Sequence, residues 1–207
     1  MTNNTAHIIN QQDTKGRIIE SARDIYLSEG LPSLSMRKVA KHAGLSTMAA
    51  YRHFDNKDDL ISHVIMEGFK IFQHYFYKAL EGNTPAERLK LSSESYYLFA
   101  MENPKYYEVM FMSVAHITDT PTNAQVQSLV QASVQFLYDR IAECAQAGLL
   151  DGPVSKRQVL HLWAHSHGLI SLYLSGHIDG HTSFKNLYQE SMAMMLKGMG
   201  FTHSALT

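Results

Sequence analysis

Three groups of residues could do chemistry in this 207-residue chain. Between Ser35 and Phe54 stand Arg37, Lys38, Lys41 and Arg52 with no acid among them, a local charge of +4 in a chain whose 18 basic and 19 acidic residues leave it at -1. No bulk attraction to a polyanion follows from the total, so any such attraction is local to this stretch. Histidines form the second group. His161 and His165, like His177 and His181, are four residues apart, a spacing that can bring two imidazoles to one ion on a helix face. Neither pair has a nearby cysteine or a set of further carboxylates, and solvated or hydrogen-bonded histidines are the expected reading, with no metal site. Ser166 lies between His165 and His167, but neighbours on a helix do not face each other, so these three make no catalytic triad. With no phosphate-binding glycine loop either, no catalytic residue, cofactor or enzyme activity is expected. The third group is aromatic and sulfur-rich: Tyr96, Tyr97, Phe99 and Met101, then Tyr106, Tyr107, Met110, Phe111 and Met112. Such side chains can line an apolar cavity that adapts to a ligand, or they can be ordinary core.

The elements that must position these groups are helical. Ile18, Ala22, Ile25 and Tyr26 recur at steps of three and four until Gly30 and Pro32 stop the pattern, which predicts a first helix from Thr14. Residues 1–13 are mostly polar and aperiodic, and read as a flexible arm. Ser35 can cap a second, short helix carrying Met36, Val39, Ala40 and Ala43, and Ser46 a third, Thr47 to Phe54. The tight Ala43-Gly44-Leu45-Ser46 connection, with Leu45 pinning the turn to the core, is the layout of a helix-turn-helix. Asn56-Lys57-Asp58-Asp59 opens a helix that should run to about Leu80. Further helical stretches are expected at about 85–102, 104–116, 123–147, 155–176 and 183–199, with breaks at Pro85, Pro104 and Pro121. No alternating strand pattern competes. The expected fold is all-α: the 1–13 arm, a three-helix unit with the helix-turn-helix over 14–60, and a larger helical body over 61–207.

In a helix-turn-helix the second helix enters the major groove, its first turn meeting base edges while flanking groups hold phosphates. That first turn holds Thr47, Met48 and Ala49. Tyr51 and His53 offer stiff donors for phosphate oxygens, Arg52 adds charge, and Lys57 starts the next helix, where backbone amides also favour an anion. Met48 and Ala49 cannot make the paired hydrogen bonds that distinguish guanine or adenine, so contact with thymine methyls and a contribution from Arg37 are expected.

Gly44-Leu45-Ser46, Ala50-Tyr51-Arg52-His53-Phe54 and Lys57-Asp58-Asp59-Leu60, preceded by Val39-Ala40 and Ala43, resemble the DNA-binding signature of TetR-type transcriptional regulators over roughly residues 15–65. The resemblance implies a homodimer on a palindromic operator, usually a repressor, with a ligand in the C-terminal body weakening DNA binding. It assigns base contacts to Thr47–Ala49 and phosphate contacts to Tyr51, His53 and Lys57, leaving Leu45 and Phe54 as core. Trp163, His167 and Gly168 also resemble the "WHG" type of C-terminal domain in one branch of the family. On that footing Tyr97, Met101, Tyr107, Met110, Phe111, Trp163 and His167 are expected at a pocket for a small, largely apolar effector. The last two helices, through Leu169, Tyr173, Met192, Met195 and Met199, are expected at an intersubunit four-helix bundle. A metal-responsive or ligand-independent regulator is the alternative, and a helical carrier or enzyme without DNA a more distant one.

Cys144 is the only cysteine, which excludes an intrachain disulfide and a cysteine-cage zinc site. Apolar runs such as 109–115 fall far short of the ~20 residues a membrane span needs, and the polar N-terminus lacks the apolar core of a secretion signal. A cytoplasmic location with no membrane partner is expected.

Overall fold

The computed structural model describes the backbone of residues 2–112, 121–178 and 183–202, and the side chains of 13–112, 123–178 and 183–202. Its elements are α1 (Thr2–Glu29), a 3-10 turn (Leu31–Ser33), α2 (Met36–His42), α3 (Thr47–Tyr51), α4 (Lys57–Ala79), α5 (Pro85–Glu102), α6 (Pro104–Tyr107), a π-helical turn (Glu108–Met112), α7 (Pro121–Gln146), α8 (Lys156–Leu174) and α9 (Phe184–Gly198). Among the described residues the only extended pairing is one isolated bridge, Leu150 to Phe201, so the fold is all-α as expected.

Helix starts follow local chemistry. Ser35, Ser46, Thr84 and Ser155 cap α2, α3, α5 and α8 by accepting a hydrogen bond from the backbone three residues on. Thr84 with Glu87 and Ser155 with Gln158 complete reciprocal capping boxes, each satisfying two amides that the helix itself leaves unpaired. Two departures from the sequence pattern stand out. The polar residues before Thr14, read as a flexible arm, belong to α1 from Thr2 onward. No glycine or proline interrupts them before Gly16, and a helix needs its backbone bonds rather than an apolar face. The helix expected at 104–116 is α only to Tyr107 before widening into the π turn; residues 113–116 lie outside the described residues.

By packing, the chain divides into two units. The first holds the described residues among Met1–Phe69 and Lys105–Leu129, the second those among Lys70–Pro104 and Val130–Thr207. In the first, Ile18, Ala22, Ile25 and Tyr26 of α1, Val39 and Ala40 of α2, Ala50 of α3, Phe54, and Leu60, Val64 and Phe69 of α4 form the core. In the second, Phe72, Phe99, Ile141, Leu162, Ile170 and Tyr188 are buried, and α8 packs against α9.

Candidate nucleic-acid interface and effector body

The turn between α2 and α3 closes by a pair of nested bonds. Gly44 adopts φ 68°, a left-handed conformation that only glycine enters without cost. Its amide then donates to the Lys41 carbonyl at 3.1 Å and that of Leu45 to the Ala40 carbonyl at 2.8 Å, satisfying two carbonyls at the end of α2. Arg17 of α1 reaches across and donates through Nη2 to the Ala43 carbonyl at 2.6 Å. Ser46 then opens α3, its hydroxyl accepting from the Ala49 amide at 3.1 Å. Ala50 and Phe54 face the core. The Phe54 ring lies beneath the Lys15 ammonium at 5.3 Å and meets the His63 imidazole edge-on at 5.1 Å.

What remains outward suits a polyanion. Met48 is 68% and Tyr51 51% exposed. Arg37, Lys41 and Arg52 are exposed, with no ion pair to any of them among the described residues, whereas Lys38 pairs with Glu29. Thr47, Ala49 and His53 are half-buried. Lys57 is half-buried too, and its ammonium donates to the Leu31 carbonyl at 3.2 Å. That bond ties the 3-10 turn to the start of α4. There, Asn56 Oδ1 accepts from the Asp59 amide at 2.9 Å, and Asp59 Oδ2 accepts from the Asp55 amide at 3.2 Å. Arg17 was absent from the sequence-based set: its partner is 26 residues away, and no local pattern signals such a bond.

The aromatic and methionine residues separate between the two units. In the first, the Tyr26 hydroxyl donates to the Lys105 carbonyl at 2.8 Å, and Phe111 contacts Phe69 and Tyr107 at centroid distances of 6.0 and 5.2 Å. Met110 and Tyr106 press on Gly68 so closely that a Cβ there would lie 2.5 Å from Met110 Sδ and 2.9 Å from Tyr106 Cδ1. Burial, reinforced by Glu108 for Tyr26 and by Glu67 for Tyr106, raises both phenol pKa values well above the ordinary range. In the second unit, Trp163 Nε1 donates to the Tyr96 hydroxyl at 3.3 Å, Tyr96 lies 3.4 Å from His167 Nδ1, and Ser171 lies 3.4 Å from His167 Nε2. Burial lowers the His167 pKa, so the imidazole is neutral at pH 7 and can both accept and donate in this chain. Tyr97 sits against Tyr188 and Phe184 and lines a shallow cleft of about 40 Å³ with Glu94, Leu98, Lys185, Tyr188 and Gln189. Met101 is half-buried. Tyr107, Met110 and Phe111 thus belong to one packing unit, and Tyr97, Met101, Trp163 and His167 to the other.

On α8 and α9, Met192 is buried with its sulfur 3.1 Å from the Ser166 hydroxyl, and Tyr173 stacks on Phe184 at 3.9 Å. Both are engaged within this chain. Leu169, Met195 and Met199 are half-buried. The outward apolar residues are Leu160 and Leu172 of α8 and Met194 of α9, the last 74% exposed, and a Cβ at Gly168 or Gly198 would meet only open space. His165 is bonded to Ser191 at 2.9 Å; His181 lies outside the described residues. Among the described residues no group of three or more His, Cys, Asp or Glu side chains could hold a metal ion, and no helix is long and apolar enough to cross a membrane.

Comparison with known proteins agrees with this geometry. Residues 18–64 match the family described as bacterial regulatory proteins, tetR family, and residues 90–198 match the tetracyclin repressor-like C-terminal domain. The HTH-type transcriptional activator FasR of Mycolicibacterium smegmatis is 23% identical over 133 residues, which are 64% of this chain and 60% of FasR. Among solved structures, a protein of unknown function from Rhodococcus sp. RHA1 superposes with a TM-score of 0.77 at 21% identity, over 90% of this chain and 95% of the other. AibR, solved in complex with isovaleryl coenzyme A and operator DNA, superposes with a TM-score of 0.65 at 19% identity, over 87% of this chain and 97% of AibR. From the closed Gly44 turn, the outward α3 and the two matched regions together, the chain is a member of the TetR family of bacterial transcriptional regulators.

Proposed function

We propose that the protein is a cytoplasmic homodimeric repressor that binds a palindromic operator and leaves it when a small, largely apolar effector enters the helical body. It acts by binding, with no catalytic step. The observation that carries the reading is the outward face of the helix-turn-helix: exposed Met48 and Tyr51 beside exposed Arg37, Lys41 and Arg52, which have no ion pair among the described residues. Thr47, Met48 and Ala49 read base edges, with Arg37 contributing from α2. Tyr51, Arg52 and His53 hold phosphates, and Lys57 reaches the backbone with the donors that Leu31 leaves over. The outward stripe of Leu160, Gly168 and Leu172 on α8, with Met194 and Gly198 on α9, is apolar and open at both glycines, which supports burial against a second copy through close helix approach. Leu169, Met195 and Met199, partly covered already, would border that interface. Two heads on one operator must meet successive major grooves ~34 Å apart, and an effector that prefers another geometry of the dimer shifts the population off DNA. AibR, whose structure holds both isovaleryl coenzyme A and operator DNA, supports an effector with an apolar acyl portion. Of the residues expected at a pocket, Tyr97, Met101, Trp163 and His167, which share one packing unit, are the ones proposed to meet it.

The test is genome-wide enrichment of DNA bound by the native protein and by a Tyr51→Ala, Arg52→Ala double variant. Sharp palindromic sites, lost in the variant, are expected. On a cloned site, the slope of log affinity against log salt should fall in magnitude by about 0.9 for each phosphate contact removed. Weak uniform enrichment, identical for both proteins, would overturn the reading.

A further inference from the structure

One charged cluster of the second unit takes no part in the function proposed above. Glu143 of α7 accepts from Arg88 Nε of α5 at 2.8 Å and from Arg140 Nη2, one helical turn before it, at 2.5 Å. Arg88 Nη1 also donates to the Gly82 carbonyl at 2.9 Å. Arg140 is only 9% exposed, and its Nε, itself buried, has no hydrogen-bond partner. The Phe136 ring lies 4.7 Å from the Arg140 guanidinium carbon and stacks in turn on Phe76 at 4.8 Å, with the planes 9° apart.

Two guanidiniums therefore share one carboxylate. The same three charges act on the neighbouring Cys144 thiol. Burial alone would raise the Glu143 carboxyl pKa, but the two arginines outweigh it and hold it below the usual range, so Glu143 is ionised and the cluster carries one uncompensated positive charge. A buried lysine in this position could shed its proton. Arginine cannot, because its pKa lies beyond any physiological pH. The Arg88 and Glu143 side chains are 24% and 30% exposed, so water screens part of the excess, but the Arg140 side chain is only 10% exposed, and its buried donor left unpaired is costly.

We propose that this cluster is a binding site for a small oxyanion, the carboxylate of an organic acid or a phosphate group, which accepts the free Arg140 Nε–H and balances the second guanidinium. The planar fork of arginine suits either oxyanion. Phe136 and Phe76, both half-buried, give an organic acid an aromatic wall for its apolar remainder. The site stands apart from the effector reading and does not depend on it.

The experiment uses the full chain and measures its melting temperature at constant ionic strength, with chloride replaced stepwise by phosphate or by hexanoate. A saturable rise of several degrees is expected with one or both anions; a rise with phosphate alone identifies phosphate as the ligand chemistry, and one with hexanoate the carboxylate. Phosphate also stabilises proteins by exclusion from their surface, but that effect does not depend on Arg140. Arg140→Met, which keeps the packing against Phe136, should lose the saturable rise. Glu143→Gln, which leaves two uncompensated cations, should show a larger rise than the native chain. Should Arg140→Met fail to fold, Arg140→Lys keeps the charge without the Nε donor and should bind about tenfold more weakly. The proposal is overturned if neither anion differs from chloride for the native chain and Glu143→Gln, or if the rise persists unchanged without the Arg140 guanidinium.

Discussion

Replacing Gly68 by alanine sets two known quantities against each other. Gly68 lies inside α4, where alanine is favoured over glycine by about 1 kcal/mol. The added methyl would sit 2.5 Å from Met110 Sδ and 2.9 Å from Tyr106 Cδ1, distances at which something must shift. Met110 is unbranched and can swing away. Tyr106 is buried, and the segment that carries it is tied down by the Tyr26 bond to the Lys105 carbonyl, so the ring cannot retreat freely. Overpacking of this kind costs ~1–3 kcal/mol, and the net for Gly68→Ala should be a loss of about 1 kcal/mol. For a chain of this size that lowers the melting temperature by roughly 2–4 °C. Thermal and urea unfolding followed by circular dichroism read the change directly. A Gly68→Ala, Met110→Ala pair supplies the check, because removing the thioether should recover part of the loss and give a coupling energy of about 0.5–1 kcal/mol. If Gly68→Ala instead gained the full propensity increment and showed no coupling to Met110, the close approach of residues 106–110 to α4 would be wrong.

Three further outcomes follow from the same geometry. Ser46→Ala removes the cap of α3 and should cost about 0.5–2 kcal/mol, with weaker operator binding in a mobility-shift assay; Ser46→Asp should restore most of both. Leu172→Asp combined with Met194→Asp places charges on the outward stripe of α8 and α9, and should give monomers by analytical ultracentrifugation with unchanged helical content; a persisting dimer would move the interface elsewhere. Burial holds the His63 pKa below the ordinary imidazole value of 6.5, with Lys15 adding to the effect. The unfolded chain therefore takes up a proton first, and the stability that neutral His63 permits, complete above pH 6.5, is lost as the pH falls below it. His63→Gln should flatten that limb of the stability curve, and an undiminished slope would assign it to another group, such as His167.

Helix order was readable because its signals are local. A serine or threonine before an apolar repeat, a proline at the first turn and a glycine past the last each act within four residues, and α2, α5, α8 and α9 fall where such signals put them, while α3 starts after Ser46 as expected but ends at Tyr51 instead of Phe54. Periodicity also gave Ile18, Ala22, Ile25, Val39 and Ala50 as inward positions. It could not say what each face meets. Met192 and Met194 both suit an apolar helix face, yet one is closed over Ser166 and the other stands open. Lys57 reads as a cation beside the recognition helix, whereas its bond to Leu31 depends on a loop 26 residues earlier. The aromatic run from Tyr96 to Met112 looks continuous in sequence, but Asn103 and Pro104 divide it between two packing units. The sharing of Glu143 between Arg140 and Arg88 was equally hidden, since Arg88 lies on another helix.

The proposed recognition helix, α3, is five residues long, far below the length at which a helix holds itself together in water. Everything that fixes its axis lies outside its exposed surface: the Ser46 cap, the glycine turn, the Arg17 tether, and Ala50 and Phe54 in the core. Met48 and Tyr51 support none of this. The face proposed to meet DNA is thus energetically separate from the frame that carries it, and substitutions at Met48 or Tyr51 should alter operator preference at little cost to folding. A lineage of such chains could exchange operators quickly while its turn and core stayed fixed. The same independence makes this helix a site where new DNA specificities can be selected from libraries without first stabilising the protein.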